Sequence, residues 1–218
     1  MIYLRSFAAN AAFYLNLLFW MIVGLLTLPL PRRYFILLIH LWSATSIWWL
    51  KVTAGIRLEV RGREHIPEGG CIVVGKHQSL WETFALISLF KDPCFILKRE
   101  LAWIPLFGWY VWKGDMIAID RRAGASTIAL MNAKATQEIA DGRQILIFAE
   151  GTRRPVGAPP AYKQGFSHLY AAIGAPILPL ALNSGLYWPR RKFLRHPGTI
   201  IVEIMPLIPP GLPRAEVF

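Results

Sequence analysis

The N-terminal segment constrains the fold of this chain more than any other feature. From Ser6 to Pro31 no side chain carries a charge, and a second apolar stretch follows the arginine pair Arg32-Arg33. The first stretch is long enough to cross a bilayer as a helix. A cleaved signal peptide would have a shorter apolar core and a recognisable cleavage site. We therefore expect both stretches to belong to a membrane element.

The second stretch decides how this element is arranged. Two complete crossings would place the arginine pair on the far side of the membrane, against the usual bias of basic residues. His40, Ser43 and Ser46 also form a narrow polar stripe on the second helix. We predict that residues 1–52 form a helical hairpin embedded in the cytosolic leaflet, with both arginines returning to lipid phosphates. The alternatives are one crossing with an interfacial second helix, and a helix pair buried in a soluble fold.

Beyond residue 52 the sequence changes to short apolar runs that alternate with helical segments. Strands are predicted at 56–62, 71–76, 94–98, 116–120, 145–150, 176–182 and 199–205, and helices at 80–90, 126–140 and 165–173. Strands separated by helices indicate an α/β domain with a largely parallel mixed sheet flanked by helices. We assign residues 53–218 to this domain. Its last residues resemble the start of an incomplete helix, so we expect a truncated C-terminus.

The charge of the chain indicates anionic partners. The formal net charge is +11, and 55% of the residues are hydrophobic. Such a chain suits anionic lipid, phosphate or an acidic carrier protein. Nucleic acid is not expected, because no nucleic-acid module is recognisable and the cations are scattered among Trp-rich segments. Cys71 and Cys94 are predicted to be buried thiols, and no spacing of Cys and His predicts a metal site.

A histidine and a glutamate five positions apart form the first candidate site. His77 follows the strand 71–76, and Glu82 opens the next helix. A carboxylate that holds one imidazole nitrogen fixes the tautomer and leaves the other nitrogen to accept a proton. The pair requires His77 to lie in the turn, because five positions along a helix lead to a different face. Alternatively, Ser79 and Glu82 form a helix capping box, or Ser79 is a nucleophile without the usual glycine motif.

The turn after strand 145–150 is the second candidate site, and it consists of Glu150, Gly151, Thr152 and Arg153. Gly151 allows successive backbone N–H groups to point at an anion, and Thr152 adds a hydroxyl. Arg153 can hold phosphate through two parallel hydrogen bonds. Glu150 is expected to orient a cation or a backbone N–H. The alternative is an ordinary strand-end turn with solvated charges.

From about residue 62 to residue 205 the chain resembles the 1-acylglycerol-3-phosphate acyltransferases, the PlsC-like lipid acyltransferases. Four blocks occur in the family's order: His77 with Glu82, Gly114 with Ile119-Asp120-Arg121, the run 148–153, and the apolar run 177–181. The first block carries Glu82 where the family has Asp, so the geometry between histidine and carboxylate has to differ. The third block carries Ala149 where the family has Pro.

The resemblance implies a role for each candidate residue. His77 would be the general base and Glu82 its partner, with Lys98 helping backbone N–H groups at the oxyanion. Arg121 and Arg153 would hold the acceptor phosphate with Glu150, Gly151 and Thr152. Without the resemblance, Lys98 and Arg121 would be interpreted as solvated or salt-bridged residues.

The resemblance also implies a reaction and a place in the cell. A fatty acyl group would pass from acyl-CoA or acyl-ACP to the free hydroxyl of lysophosphatidic acid, giving phosphatidic acid, with no cofactor besides this cosubstrate. The protein would contact membrane lipids at the inner (cytoplasmic) membrane, with its catalytic domain facing the cytosol. The alternatives are an acyltransferase for another lysolipid, such as a lyso-ornithine lipid, and a non-catalytic membrane lipid-binding protein.

Overall fold

The computed structural model describes residues 1–120 and 125–218 of the chain. Within these ranges the helices are α1 (Ile2–Gly24), α2 (Arg32–Ala54), α3 (Trp81–Ala85), α4 (Phe107–Lys113), α5 (Ala125–Ala140), α6 (Gly165–Ile173), α7 (Ser184–Tyr187) and α8 (Arg214–Val217). The strands are β1 (Ile56–Arg61), β2 (Cys71–Gly75), β3 (Pro93–Lys98), β4 (Ile117–Ile119), β5 (Gln144–Phe148), β6 (Ile177–Leu182) and β7 (Gly198–Ile204). Short 3-10 segments cover Leu25–Thr27, Arg63–His65, Leu86–Leu89 and Arg99–Trp103.

The strands form one mixed sheet in the order β1-β7-β6-β2-β5-β3-β4. The five strands from β6 to β4 are mutually parallel, and β7 pairs with β6 in the antiparallel sense. The predicted largely parallel mixed sheet is therefore confirmed. Because β6, β2 and β5 are parallel neighbours, their carboxyl ends meet at one edge of the sheet.

Helices cover both faces of the sheet. Successive side chains of a strand point to opposite faces, and in β2 the buried Val73 packs with α1, α2 and α3 while the buried Ile72 packs with α5 and α6. This burial on both faces explains why β2 is apolar at every position, as expected for a parallel strand inside an α/β domain.

The predicted helical hairpin is present as α1 and α2, and its polar side chains face inwards. Asn16 of α1 donates a hydrogen bond of 2.9 Å to the hydroxyl of Ser46 on α2. The hydroxyl of Ser43 donates to the carbonyl of Phe84 in α3 at 2.8 Å. The polar stripe of the second helix therefore fastens the hairpin to the α/β domain.

The outer surface of the hairpin is apolar and exposed. Both helices are long and apolar enough to cross a membrane, but only 22% of the most apolar window of α1 and 33% of that of α2 is buried. A helix pair inside a soluble protein would be mostly buried, so the exposure favours a lipid-facing element. The predicted boundary after residue 52 falls in the last turn of α2.

For Arg32 the prediction of a lipid-phosphate contact is wrong. Its guanidinium binds the carboxylate of Asp92 with N–O distances of 2.6 and 2.7 Å, and Asp115 lies 3.3 Å away. Both carboxylates belong to the α/β domain, so Arg32 fixes the tip of the hairpin against that domain. The neighbouring Arg33 is exposed and lies over the ring of Tyr34.

Two helical segments differ from the prediction. The helix expected at 80–90 is a short α-helix, α3, followed by the 3-10 turn Leu86–Leu89, because this segment is enclosed between α2 and the sheet and its path is set by packing. The helix α4 was not predicted, since its sequence FGWYVWK contains a glycine and five residues with poor helix propensity. Its packing against the hairpin overrides that propensity.

Candidate active site

The candidate site lies where three neighbouring parallel strands end. His77, Glu150 and Ser184 each stand two positions beyond the last residue of β2, β5 and β6, respectively. Since β6, β2 and β5 are adjacent, the fold brings these three segments to one edge of the sheet. In open α/β sheets, ligands bind outside the carboxyl ends of the strands.

His77 and Glu82 form the predicted pair. His77 lies in the loop before α3, Glu82 is the second residue of that helix, and Nδ1 of His77 is 2.9 Å from Oε1 of Glu82. Because a carboxylate oxygen accepts, Nδ1 carries the hydrogen and the opposite nitrogen, Nε2, is left with a lone pair. The imidazole side chain is 12% exposed and the carboxylate is fully buried.

Glu82 also fulfils the alternative capping prediction. The same Oε1 accepts hydrogen bonds from the backbone N–H groups of Gln78 at 2.6 Å and Ser79 at 2.7 Å. The two interpretations of the sequence are therefore compatible, because one oxygen caps the loop and orients the imidazole. Ser79 itself is fully buried, which places its hydroxyl out of reach of a substrate.

Ser184 holds the second oxygen of this carboxylate. Its hydroxyl donates to Oε2 of Glu82 at 2.7 Å, and both side chains are fully buried. The N–H of Gly185 donates to the side chain of Gln78 at 3.2 Å. With four donors around one buried carboxylate, the longer glutamate side chain is fixed in a single position.

The loop of His77 is joined directly to the turn after β5. The ring of Phe148, the last residue of β5, stacks on the imidazole of His77 with centroids 4.0 Å apart and an interplanar angle of 7°. The backbone N–H of Arg154 donates to the carbonyl of His77 at 2.7 Å. The two sequence blocks, about seventy residues apart, therefore form one site.

Within this turn the anion-binding prediction needs one correction. Gly151 has the positive φ of 63° that favours glycine, but its N–H donates to the carbonyl of Phe148 at 2.9 Å and closes the turn. The N–H groups of Thr152 and Arg153 donate to no residue in the described part of the chain. These two successive groups, with the exposed hydroxyl of Thr152, are the part of the turn that can receive an anion.

Arg153 lies in a basic cluster that also contains Arg190 and Arg191. Burial lowers the pKa of Arg153, the carboxylate of Glu82 raises it, and the charges of Arg190 and Arg191 lower it again, so that the pKa is below the ordinary arginine value. The guanidinium of Arg190 also donates to the backbone carbonyl of Arg153. Three cations close together, of which Arg153 and Arg190 are partly buried, favour an anionic ligand.

The carboxylate of Glu150 is buried and lies next to Arg154. Its side chain is 1% exposed, and its Oε1 lies 3.6 Å from Nε of Arg154. Neither carboxylate oxygen accepts a hydrogen bond from a described residue. This agrees with the expectation that Glu150 orients a cation, and the cation is Arg154.

The structure does not place Lys98 beside His77. Lys98 ends β3, which is separated from β2 by β5, so its backbone is about 10 Å from that of β2. Its side chain is exposed and forms no hydrogen bond or ion pair with a described residue. Arg121 lies outside the described residues, and the predictions for both side chains stay predictions.

Two surface cavities lie away from this site. One of about 150 Å³ is lined by Arg5 and Arg195 near the end of the hairpin, and one of about 440 Å³ lies between α2 and β1. Residues 1–120 and 125–218 contain no group of three potential metal ligands. The expectation that no metal is used stays a prediction.

Sequence reasoning missed Ser184, the stacking role of Phe148, and the cations Arg190 and Arg191. A usable signal existed for Ser184, because it follows a predicted strand as His77 does, and the ends of parallel strands converge. The strand order, which makes β6 a neighbour of β2, could not be deduced from the sequence.

The α/β fold and a histidine oriented by a buried glutamate beside a basic turn are features of an enzyme that uses a general base. A family model described as Acyltransferase matches residues 57–183. The chain belongs to this acyltransferase family. It is 42% identical over 179 residues to a 1-acyl-sn-glycerol-3-phosphate acyltransferase of Pseudomonas aeruginosa, covering 82% of this chain and 69% of the relative.

Other similar proteins extend the comparison. The mouse 1-acyl-sn-glycerol-3-phosphate acyltransferase alpha is 32% identical over 160 residues, covering 72% of this chain and 56% of the relative. The crystal structure of the 1-acyl-sn-glycerophosphate acyltransferase PlsC from Thermotoga maritima has the same fold, with a TM-score of 0.78 at 22% identity, over 100% of this chain and 94% of that one.

Proposed function

We propose that this protein is a membrane-associated acyltransferase that moves a fatty acyl group from acyl-CoA or acyl-ACP to the free hydroxyl of lysophosphatidic acid, giving phosphatidic acid. The observation that carries the proposal is the union of two groups in one site: the oriented imidazole of His77 and the basic turn bonded to its loop. The relatives named 1-acyl-sn-glycerol-3-phosphate acyltransferases support the choice of acceptor.

In the proposed reaction the acceptor hydroxyl gives its proton to Nε2 of His77 as its oxygen attacks the thioester carbonyl carbon. The new carbon–oxygen bond forms a tetrahedral intermediate, and the carbon–sulfur bond then breaks. The leaving thiolate takes the proton from the imidazolium, so the base is restored. The charge of Glu82 stabilises the imidazolium while it exists, and general-base assistance of this kind contributes about 10²–10⁴ in rate.

The acceptor phosphate would bind the N–H groups of Thr152 and Arg153 and the guanidinium of Arg153. Binding there would place the glycerol hydroxyl near the imidazole, since Arg154 of the same turn is hydrogen-bonded to the His77 loop. Holding two reactants in the right orientation lowers the barrier by replacing a bimolecular step. The exposed apolar hairpin would keep the enzyme at the surface where the lipid acceptor is found.

The test is acyl transfer by the purified protein in mixed micelles. Radiolabelled lysophosphatidic acid would be supplied with oleoyl-CoA or with oleoyl-ACP, and phosphatidic acid would be measured. Lyso-ornithine lipid serves as the competing acceptor. Formation of phosphatidic acid supports the proposal, product from lyso-ornithine lipid alone would reassign the substrate, and the absence of any product would favour a non-catalytic lipid-binding protein.

A further inference from the structure

The segment between β3 and β4 exposes an unusual number of large apolar side chains. It covers residues 99–113, which include the 3-10 turn Arg99–Trp103 and the helix α4, and we call it the aromatic segment. Its exposed large apolar residues, with the exposed fraction of each, are Leu101 (38%), Trp103 (66%), Ile104 (47%), Phe107 (37%), Trp109 (54%) and Trp112 (75%). Scattered surface apolar residues are normal, but six within twelve positions mark a surface that contacts a partner or a membrane.

This surface continues the exposed surface of the hairpin. The hydroxyl of Tyr110 donates to the carbonyl of Met21 in α1, and its ring stacks on Phe35 of α2 with centroids 5.8 Å apart. A Cβ added at Gly24 would lie only 2.9 Å from the Tyr110 oxygen, so this contact between α4 and α1 leaves no room for a side chain at Gly24. The aromatic segment therefore lies beside the tip of the hairpin.

Lys113 of α4 also contacts the hairpin. Its ammonium group donates to the carbonyl of Leu28 at 3.0 Å and also to the carbonyl of Leu30, both in the hairpin turn. Carbonyls without a partner are costly at membrane depth, so this lysine allows the turn to lie close to lipid. Tyr110 and Lys113 occupy one face of α4, and Trp109 and Trp112 occupy the adjacent face, about 100° around the helix.

We propose that the aromatic segment is a third membrane-contacting element, which inserts Trp109 and Trp112 into the interfacial region of the same leaflet as the hairpin. This inference rests on the proposed membrane attachment of α1 and α2. Tryptophan is enriched at the boundary between headgroups and acyl chains because its ring is apolar and its N–H is polar. Arg99 lies over the ring of Trp103 at 5.2 Å and 3.5 Å from the carboxylate of Asp120, so the apolar rings and not a basic charge carry the proposed contact.

The consequence concerns the orientation of the enzyme. Because α1 and α2 are fixed to the α/β domain, a hairpin alone lets the whole protein roll about the hairpin axis at the bilayer surface, whereas a further contact beside the hairpin restricts that roll. The aromatic segment begins directly after β3, whose carboxyl end lies at the same sheet edge as the candidate site. The segment ends at Lys113, and the carbonyl of Gly114 accepts a hydrogen bond from Arg143 just before β5, so Trp112 lies towards the amino ends of the strands. Its contact with the bilayer would therefore restrict the tilt of the sheet relative to the lipid surface.

The experiment measures the depth of a fluorescent probe at single engineered cysteines. Trp112→Cys tests the aromatic segment, Leu18→Cys reports on the hairpin, and Ala133→Cys on α5 is the control, because α5 covers the opposite face of the sheet. The two native cysteines are fully buried, and burial raises the pKa of both thiols to about 12. Since the thiolate is the reactive form, a nitrobenzoxadiazole reagent should label only the engineered residues at neutral pH.

The labelled proteins are reconstituted into phosphatidylcholine–phosphatidylglycerol vesicles whose acyl chains carry bromine. We expect strong quenching at Leu18→Cys, intermediate quenching with a blue shift at Trp112→Cys, and neither at Ala133→Cys. Quenching at Leu18→Cys while Trp112→Cys behaves like Ala133→Cys would overturn the inference and leave the hairpin intact. Loss of quenching at Leu18→Cys would refute the membrane hairpin itself.

Two further measurements complete the test. If Trp112→Cys does not fold, as judged by its circular dichroism spectrum, Trp109→Cys on the same face of α4 replaces it. Acyl carrier protein added to the detergent-solubilised Trp112→Cys probe tests the competing partner. Shielding by the carrier protein without quenching by lipid would assign this surface to the carrier and overturn the proposal.

Discussion

The charge of Glu82 can be separated from its geometry by the substitution Glu82→Gln. In the structure Oε1 accepts three N–H donors, those of His77, Gln78 and Ser79. All three need an acceptor, so the carbonyl oxygen of a glutamine should occupy that place and its amide nitrogen should face Ser184, whose hydroxyl can accept. The imidazole then keeps its tautomer, and only the negative charge is lost.

The expected loss follows from the interaction of that charge with the imidazolium. At a separation of about 4 Å and an effective dielectric constant of about 20, the attraction is about 4 kcal/mol. This corresponds to a decrease of about a thousandfold in kcat. The assay is steady-state transfer to lysophosphatidic acid at saturating donor, with thermal unfolding as the test of folding.

Glu82→Asp is the matched control, because it keeps the charge and shortens the side chain by one methylene. We expect a smaller loss, caused by weaker hydrogen bonds to Ser184 and His77. If Glu82→Gln folds normally and retains more than about a tenth of the wild-type kcat, which corresponds to less than about 1.4 kcal/mol, the carboxylate charge does not assist the reaction. The pair would then be a structural feature.

Three other substitutions test separate contacts. Ser184→Ala removes one of the four donors to the buried carboxylate, so kcat should fall about tenfold, or about 1.4 kcal/mol, and Ser184→Thr should restore most of the activity. Equal kcat values for the wild type and both variants would show that this donor is dispensable. Arg153→Ala should raise the KM for the acceptor at least about tenfold and leave the KM for the acyl donor unchanged. Arg191 is exposed, so Arg191→Ala should have a smaller effect on the KM for the acceptor. A change in the KM for the acyl donor alone would place the phosphate elsewhere. Asp92→Asn should lower stability at neutral pH by about 1–2 kcal/mol, because Asp92 loses its charge-assisted bonds to Arg32 and Arg143. Burial raises the pKa of Asp92, but the hydrogen bond from Arg32 and the charge of Arg143 hold this pKa below the ordinary value. The contribution of Asp92 to folding stability is therefore present above about pH 4 and is lost as the pH falls through the folded-state pKa. Parallel acid denaturation curves of the wild type and Asp92→Asn would contradict this assignment.

The sheet and its regular helices could be predicted from the sequence because their signals are local. Apolar runs such as 71–76 and the helix 165–173 have one periodicity and clear boundaries, and the structure places β2 and α6 there. The segment 99–113 carried no such signal, because its proline, its glycine and its aromatic residues favour no single element. Its conformation depends on the hairpin, which lies far away in the chain.

The candidate site could be predicted in part for the same reason. His77 and Glu82 are close in sequence, so their contact required only that the loop and the helix begin where the motif indicated. Ser184 is more than one hundred positions from Glu82, and only the order of strands brings them together. Which N–H groups of the turn are available to an anion could not be predicted, since the turn uses the N–H of Gly151 for its own closure.

The partner of Arg32 illustrates a further limit. A pair of arginines between two apolar helices is typical of a lipid-facing turn, and the sequence offers no sign that one of them binds a carboxylate sixty positions away. Asp92 lies just before β3 and reaches Arg32 because the hairpin folds back onto the α/β domain. Such contacts between the two parts of the chain are set by their docking and not by local pattern.

The most direct test of the account is the activity of His77→Ala, measured as phosphatidic acid formed from radiolabelled lysophosphatidic acid and an acyl thioester. His77→Ala should fold, because the imidazole lies at the edge of the site and is not part of the core. We expect kcat to fall at least about a thousandfold, since the base is lost together with its interaction with Glu82, with little change in thermal unfolding. Turnover close to that of the wild type in a folded His77→Ala protein would contradict the assignment of His77 as the base.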